Sequence, residues 1–329
     1  MNRAMALTYG TALRDAIVAL TASSPTPRLD AEVLLRHVTG STPTGLIAGA
    51  DRPLGADEMR RLGGLVSRRE RGEPIAYLTG EREFWSLRLK VTPATLIPRP
   101  ETELLVEKAL AHIPPQARWN IADLGTGSGA IALAIAHERP LCQVHACDHS
   151  AAALDVARAN AARLGIANIE FFHGDWLAPL TCRTLEMIVS NPPYVRADDP
   201  HLNEGDVRFE PRAALIGGPE GLDAIRVIAQ QAFACLMPGG GARFPRRSSF
   251  GSGRRAAGSE PRGTGALAAV PEGASLSRAG GFLLLEHGHD QAATVAGILT
   301  AAGFCEILCH HDLAGHDRVT VCRAAPTGC

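Results

Sequence analysis

Hydrophobic positions recur at three- and four-residue spacing through the first 72 residues. The pattern predicts helices over residues 4–20, 29–38 and 56–71, punctuated by Pro25, Pro27, Pro43 and Pro53. Together they make a small helical bundle over residues 1–73, with Leu13, Ile17, Leu20, Leu34, Leu35, Leu62, Leu65 and Val66 as its core. The run Arg68-Arg69-Glu70-Arg71 reads as a solvated helix end. From residue 74 the period changes. Leu87, Leu89 and Val91 alternate as strand residues do, so residues 74–98 read as a β-hairpin connector. The prolines of Ile97-Pro98-Arg99-Pro100-Glu101-Thr102-Glu103 hold the chain extended before a helix that runs to about Ala111. This stretch is unusually charged for a linker. It either lines a cleft or caps that helix.

Beyond residue 119 short apolar runs alternate with helical periods. Strands are predicted at 120–124, 144–148, 169–173, 187–190 and 282–286, with a closing pair at 304–309 and 318–323. Helices are predicted at 130–137, 151–164, 221–236 and 291–302. This is the pattern of an α/β domain with a parallel sheet, here residues 99–329. Residues 241–280 interrupt it. They are rich in Gly, Ser and Pro, carry seven arginines against two glutamates, and show no periodicity. The stretch reads as a disordered insertion emerging at the amino edge of the sheet, or less readily as a basic RNA-touching arm.

Candidate chemistry gathers where strands end, because ligands of open α/β sheets bind beyond the carboxyl ends of the strands. Asn191-Pro192-Pro193-Tyr194 follows the strand at 187–190. Two prolines fix φ and remove two backbone donors, leaving bare carbonyls beside the Asn amide. That set can accept both protons of a planar substrate NH2, and Tyr194 can cover its flat face. The plainer reading is a rigid turn whose Asn satisfies local backbone. Gly125-Thr126-Gly127-Ser128-Gly129 follows the strand at 120–124, and glycines there let the backbone turn sharply and approach a ligand. Asp148 ends the next strand and can accept from both ribose hydroxyls of a nucleoside-type cofactor. Asp175 and Trp176 end the third, where the indole either holds an adenine ring or is hydrophobic cover.

Composition changes this picture little. The chain has 329 residues, is 46% hydrophobic and 20% charged, and carries a net charge of −1, which lacks the basicity typical of duplex binders. No stretch approaches a membrane span. Eight cysteines without a CxxC pattern read as reduced thiols of a cytoplasmic protein. Cys305, Cys309, His310 and His311 invite a metal reading, but Cys305, Ile307 and Cys309 alternate as in a strand, so no metal is assigned.

Taken in order, several stretches resemble the class I S-adenosylmethionine-dependent methyltransferases, and most closely the protein-(glutamine-N5) methyltransferases that modify peptide chain release factors. They include Arg28-Leu29-Asp30-Ala31-Glu32, Glu83-Phe84-Trp85-Ser86-Leu87, Ile97 through Glu103, Asp123 through Gly129, Asn191 through Tyr194, Phe209-Glu210-Pro211-Arg212 and Glu286-His287-Gly288. The resemblance implies a Rossmann-like seven-stranded sheet with a helical domain that recognises the release factor. It implies S-adenosylmethionine held by Gly125, Thr126, Gly127, Ser128, Gly129, Asp148, Trp176 and Asn191. The substrate glutamine would lie against Asn191, Pro192, Pro193 and Tyr194, with Asn191, Pro192 and Tyr194 as the catalytic set. The expected partner is a class I release factor, with neither membrane nor nucleic acid as substrate. Methylation of a ribosomal-protein glutamine, methylation of nucleic-acid amino groups and a non-catalytic cofactor-binding role are the alternatives. The 241–280 insertion departs from the family pattern.

Overall fold

The computed structural model describes residues 7–180, 184–236 and 280–325. Its amino-terminal part is helical: α1 (Tyr9–Leu20), α2 (Pro27–Thr39), α3 (Pro43–Ala48), α4 (Ala56–Glu70) and α5 (Ile75–Thr79). Helix α1 starts at Tyr9, later than its apolar period suggests, because Thr8 caps it. The Thr11 N–H donates to Thr8 Oγ1 and the Thr8 N–H to Thr11 Oγ1, at 3.3 and 2.7 Å. Pro27 at the first position starts α2 two residues earlier than expected. Helices α3 and α5 went unforeseen because one or two turns are too short to show a period. Leu20, Leu34, Leu35 and Leu62 are buried, while Leu13, Ile17, Leu65 and Val66 pack at the margin.

Arg69 corrects the reading of 68–71 as a solvated helix end. It is 4% exposed and makes ion pairs of 2.7 Å with both Asp30 of α2 and Asp206. A charge run therefore supplied a buried cross-link, because a partner from a distant loop meets this face of α4.

Strands β1 (Glu81–Phe84) and β2 (Leu87–Lys90) form an antiparallel hairpin. The hairpin expected within residues 74–98 is present, with Leu87 and Leu89 on its second strand. The turn residues Trp85 and Ser86 both adopt left-handed φ, 52° and 59°. Two-residue hairpin turns favour Asn and Gly for that conformation, so the sequence carries no turn signal. Tertiary contacts hold it instead: the Trp85 N–H donates to Glu103 Oε1 and its indole N–H to Glu138 Oε1, each at 2.9 Å.

The main sheet comprises β3 (Asn120–Leu124), β4 (Gln143–Asp148), β5 (Ile169–His173), β6 (Met187–Ser190), β7 (Phe282–Glu286), β8 (Phe304–His311) and β9 (Asp317–Ala324), in the order β5-β4-β3-β6-β7-β9-β8. The five strands from β5 to β7 are parallel, and β9 runs antiparallel to both β7 and β8. Alternate residues face opposite layers. Ile121, Val144, Met187 and Val189 pack under α6 (Glu103–His112) and α7 (Ala130–Glu138). Leu124, Ile188, Leu283 and Leu285 pack under α9 (Asp223–Leu236) and α10 (Ala292–Ala301). Helix α8 (Ala151–Leu164) follows β4. This is a seven-stranded mixed sheet between two helical layers, as expected. The chain winds outward from β3 in one direction and from β6 in the other, so the carboxyl ends of these neighbours form a topological switch point.

Apart from Gly280, the 241–280 stretch lies outside the described residues. Its described borders are adjacent. The Gly281 N–H donates to the Leu236 carbonyl at 3.0 Å, and the Phe282 N–H to Glu186 at 2.9 Å, at the amino ends of β6 and β7. Among the described residues no helix is long and apolar enough to cross a membrane.

Candidate active site

Strand register brings the candidate residues together. Leu124 pairs with Cys147 on one side and Ser190 on the other, and Asp148 pairs with His173. The residues that follow β3, β4, β5 and β6 therefore meet at one edge, on strands spaced about 4.8 Å apart. Ser190 Oγ donates to the Leu124 carbonyl at 2.7 Å, tying the start of the Asn191 loop to the start of the glycine turn.

Gly125, Gly127 and Gly129 all have left-handed φ, at 72°, 56° and 86°. The Gly125 and Thr126 N–H groups both donate to the Cys147 carbonyl at 2.9 Å. The Gly127 N–H donates to Asp148 Oδ2 at 2.8 Å. Ser128 is buried, and its carbonyl accepts from the side-chain amide of Asn160 on α8 at 2.9 Å. Asn160 also exchanges two hydrogen bonds with the Lys90 backbone, so one buried amide joins the hairpin to the turn. The turn is fixed on its protein side and open on the other: a Cβ on Gly127 would meet nothing within 4 Å.

Beneath it lies Asp123, fully buried near the end of β3, accepting from Thr126 Oγ1 at 2.6 Å and from the Ala132 N–H at 3.2 Å. Burial pushes its carboxyl up to about 7, while the Thr126 hydrogen bond opposes the shift. Asp148 accepts from the Gly127 and Ser150 N–H groups, one on each oxygen. A carboxylate has about four acceptor sites, so each oxygen keeps capacity for a hydroxyl. Trp176, itself at a left-handed φ of 48°, lies against Gly125 and packs on the core under α9. Trp176 therefore covers the core and also stands beside the glycine turn.

Asn191 is half-buried, and its amide nitrogen donates to Thr102 Oγ1 at 3.1 Å. The charged stretch at 97–103 reaches this site as well as leading into α6. Arg99 pairs with Glu210, whose carboxylate also takes the Ile97 N–H at 3.1 Å. Pro192 is buried, and no described residue donates to its carbonyl. The Tyr194 carbonyl accepts from Gln291 Nε2 at 3.0 Å, and the Tyr194 hydroxyl donates to Glu286 Oε1 at 3.1 Å. Gly221 has a φ of 73°, and a Cβ there would collide with the Tyr194 carbonyl oxygen. The loop is therefore rigid for more reasons than its prolines.

Thr102, Asp123, Asn160, Glu286 and Gln291 also lie at this site; sequence reasoning gave Thr102 only a share in the 97–103 stretch and singled out none of the others as a site residue. Glu286 ends β7 and Asp123 is the last residue but one of β3, close to the signal that singled out Asp148. Nothing local marks Asn160. Among the described residues no group of three or more His, Cys, Asp or Glu side chains is placed to hold a metal. At Cys305–Cys309 the strand alternation is broken by a bulge with Glu306 at a φ of 51°.

The glycine turn offers an open backbone face, Asp148 a hydroxyl acceptor and Trp176 an aromatic wall, a set that fits a nucleoside. The profile described as PrmC N-terminal domain matches residues 11–80, and that described as methyltransferase small domain matches residues 100–205. The release factor glutamine methyltransferase of Salmonella typhimurium is 43% identical over 303 residues, covering 92% of this chain and 94% of its own. That of Xylella fastidiosa (strain Temecula1) is 44% identical over 296 residues, covering 90% and 93%. The solved protein-(glutamine-N5) methyltransferase (release factor-specific) of Alicyclobacillus acidocaldarius is 27% identical, covers 72% of this chain and 100% of its own, and has a TM-score of 0.34.

Proposed function

The chain belongs to the release factor glutamine methyltransferase family, and we propose that the cleft at the carboxyl ends of β3 to β6 methylates the glutamine nitrogen of the Gly-Gly-Gln loop in a class I release factor. The protein is an S-adenosylmethionine-dependent protein-glutamine N-methyltransferase. The observation that carries the residue assignment is the Asn191–Thr102 hydrogen bond. With its amide nitrogen held at 3.1 Å, Asn191 has its oxygen left to accept.

S-adenosylmethionine supplies an electrophilic methyl group on a sulfonium centre. Gly125, Thr126, Gly127, Ser128, Gly129, Asp148 and Trp176 would hold it, together with Asn191. An amide nitrogen is a weak nucleophile because its lone pair is delocalised into the carbonyl. The site therefore works by orientation and electrostatics. Asn191 Oδ1 and the Pro192 carbonyl would accept hydrogen bonds from the two N–H groups of the substrate amide. That pairing aims the nitrogen lone pair at the methyl group and stabilises the positive charge that develops on nitrogen. As the N–CH3 bond forms the S–CH3 bond would break, S-adenosylhomocysteine would leave, and the methylated nitrogen would lose one proton to solvent as product departs. Tyr194 and Pro193 close over the flat face of the amide and keep water out.

The helices within residues 1–73 recognise the release factor, residues 74–98 connect, and residues 99–329 carry the transfer. A cytoplasmic location follows from that substrate. The test is incubation with methyl-labelled S-adenosylmethionine and a class I release factor, beside the same factor with its Gly-Gly-Gln glutamine replaced. Label on the first and none on the second is expected. Asn191→Ala should lower turnover by roughly 10²–10³, the usual effect of deleting one preorganised polar group in a transition state, with the melting curve unchanged. Near-normal turnover would remove Asn191 from its role.

A further inference from the structure

A groove of about 770 Å³ separates helix α2 from the β1–β2 hairpin. One wall is a single face of α2, where Leu29, Val33, Arg36 and His37 recur at helical spacing. The other is the hairpin, which contributes Arg82 and the exposed cross-strand neighbours Glu83 and Arg88. Ile97 and Arg99 line the groove as well. Arg99 stands just before Thr102, which takes the Asn191 amide nitrogen. The groove thus leads from the helical bundle to the segment that holds the catalytic loop.

The charges along it do not balance. Arg69 is paired with Asp30 and Asp206, Arg99 with Glu210, and Glu81 with Arg163. Arg36, Arg82 and Arg88 have no carboxylate partner among the described residues, and Arg36 reaches only the Ser41 carbonyl, at 3.4 Å. Glu83 is the acid left unpaired against these three cations. Arg82 is the most telling of them: its Nε is buried and meets no acceptor among the described residues. A buried charged donor without an acceptor is costly, and a carboxylate arriving from outside relieves it. The same groove carries an apolar strip, with Leu29 58% exposed and Val33 and Ile75 half-buried.

We propose that this groove docks an acidic segment of the release factor, with carboxylates on Arg36, Arg82 and Arg88 and apolar side chains on Leu29 and Val33, while the glutamine loop enters the Asn191 cleft. This rests on the functional reading above and gives its substrate a second, defined point of contact. A protein segment suits the groove better than a nucleic-acid strand. Glu81, Glu83 and Asp206 also line it and repel a phosphate backbone, whereas a protein segment can place carboxylates and apolar groups separately. Docking at the groove is the same before and during methyl transfer, so it acts on KM for the release factor and leaves kcat alone.

The experiment is kcat and both KM values of the full chain, with release factor and S-adenosylmethionine, at low and at high salt. Arg36→Glu combined with Arg88→Glu should raise KM for the release factor roughly 10–100-fold, because like charges then face each other across the contact. Its kcat and its KM for S-adenosylmethionine should match wild type. Arg36→Gln combined with Arg88→Gln should raise KM by a smaller factor and weaken its dependence on salt. Arg82→Gln should also raise KM for the release factor, and it carries the test if the doubly reversed chain fails to fold. A fluorescent single-stranded RNA is titrated into the same proteins. RNA binding that the reversal abolishes, with KM for the release factor unchanged, overturns a protein occupant. Equal KM values for the neutral and reversed chains remove the acidic partner and overturn the inference. Wild-type KM in the reversed chain and in Arg82→Gln overturns it too, and leaves the functional reading standing. No label with wild type overturns that reading and the inference with it.

Discussion

Arg69 Nη1 lies 2.7 Å from Asp206 Oδ1, joining α4 to the loop after Asn191 across 137 positions of sequence. The same guanidinium holds Asp30 at 2.7 Å, and the Arg208 side chain reaches the Arg71 carbonyl. The helical bundle is thereby fastened to the loop that leaves the active site.

Arg69→Ala should destabilise the protein by about 3–5 kcal/mol, because it strands Asp30, whose side chain is only 8% exposed, without a counter-charge. Asp206→Asn should cost under about 1 kcal/mol, since that carboxylate is 44% exposed and water replaces much of the interaction. Urea titrations of the two variants separate these outcomes. Equal losses would mean that the cross-link, rather than the buried charge, dominates.

Asp123 makes stability depend on pH. Its carboxyl is held near 7 in the folded chain, against about 3.9 unfolded, so the folded state binds the extra proton between those values. Its stabilising contribution is full below about pH 4 and is lost as the pH rises to about 7, at up to about 1.4 kcal/mol per unit. Asp123→Asn keeps an acceptor for Thr126 but cannot ionise. Denaturation of both proteins at pH 5, 6, 7 and 8 should show wild type losing stability over that range relative to the variant.

Two glycines should respond oppositely to alanine. At Gly221 a Cβ would strike the Tyr194 carbonyl from a left-handed backbone, so Gly221→Ala should disturb the Asn191 loop and reduce turnover as well as stability. Gly64 lies inside α4 with nothing within 4 Å of a Cβ, so Gly64→Ala should raise stability by about 0.5–1 kcal/mol at unchanged turnover. Melting temperature and kcat, measured together, check both.

Because Leu236 and Gly281 are one hydrogen bond apart, a chain lacking residues 242–279 can close the same seam with a short turn. Loop-closure entropy gives such a shortened chain roughly 1.5–2 kcal/mol of extra stability. It should bind S-adenosylmethionine and label the release factor at the wild-type rate. Calorimetric titration and the methylation assay would reveal any part that the deleted stretch plays.

The sequence by itself determined the longer elements and placed the candidate residues at the strand ends. The strands preceding Gly125, Asp148 and Asn191 are buried on both faces, so they appear as apolar runs, and a parallel sheet exposes its ligand edge only at strand ends. That is why the residues after each run could be named from the chain alone. Tertiary structure decided what local pattern cannot carry. Trp85 and Ser86 turn left-handed without glycine because Glu103 and Glu138 hold them. Arg69 is buried because Asp206 arrives from far along the chain. Thr102, Asn160 and Glu286 matter because three distant segments put hydrogen-bonding atoms within reach of the glycine turn and the Asn191 loop. Hydrophobic period reports which face of an element meets the core. Which polar group meets which other is fixed only when the layers close.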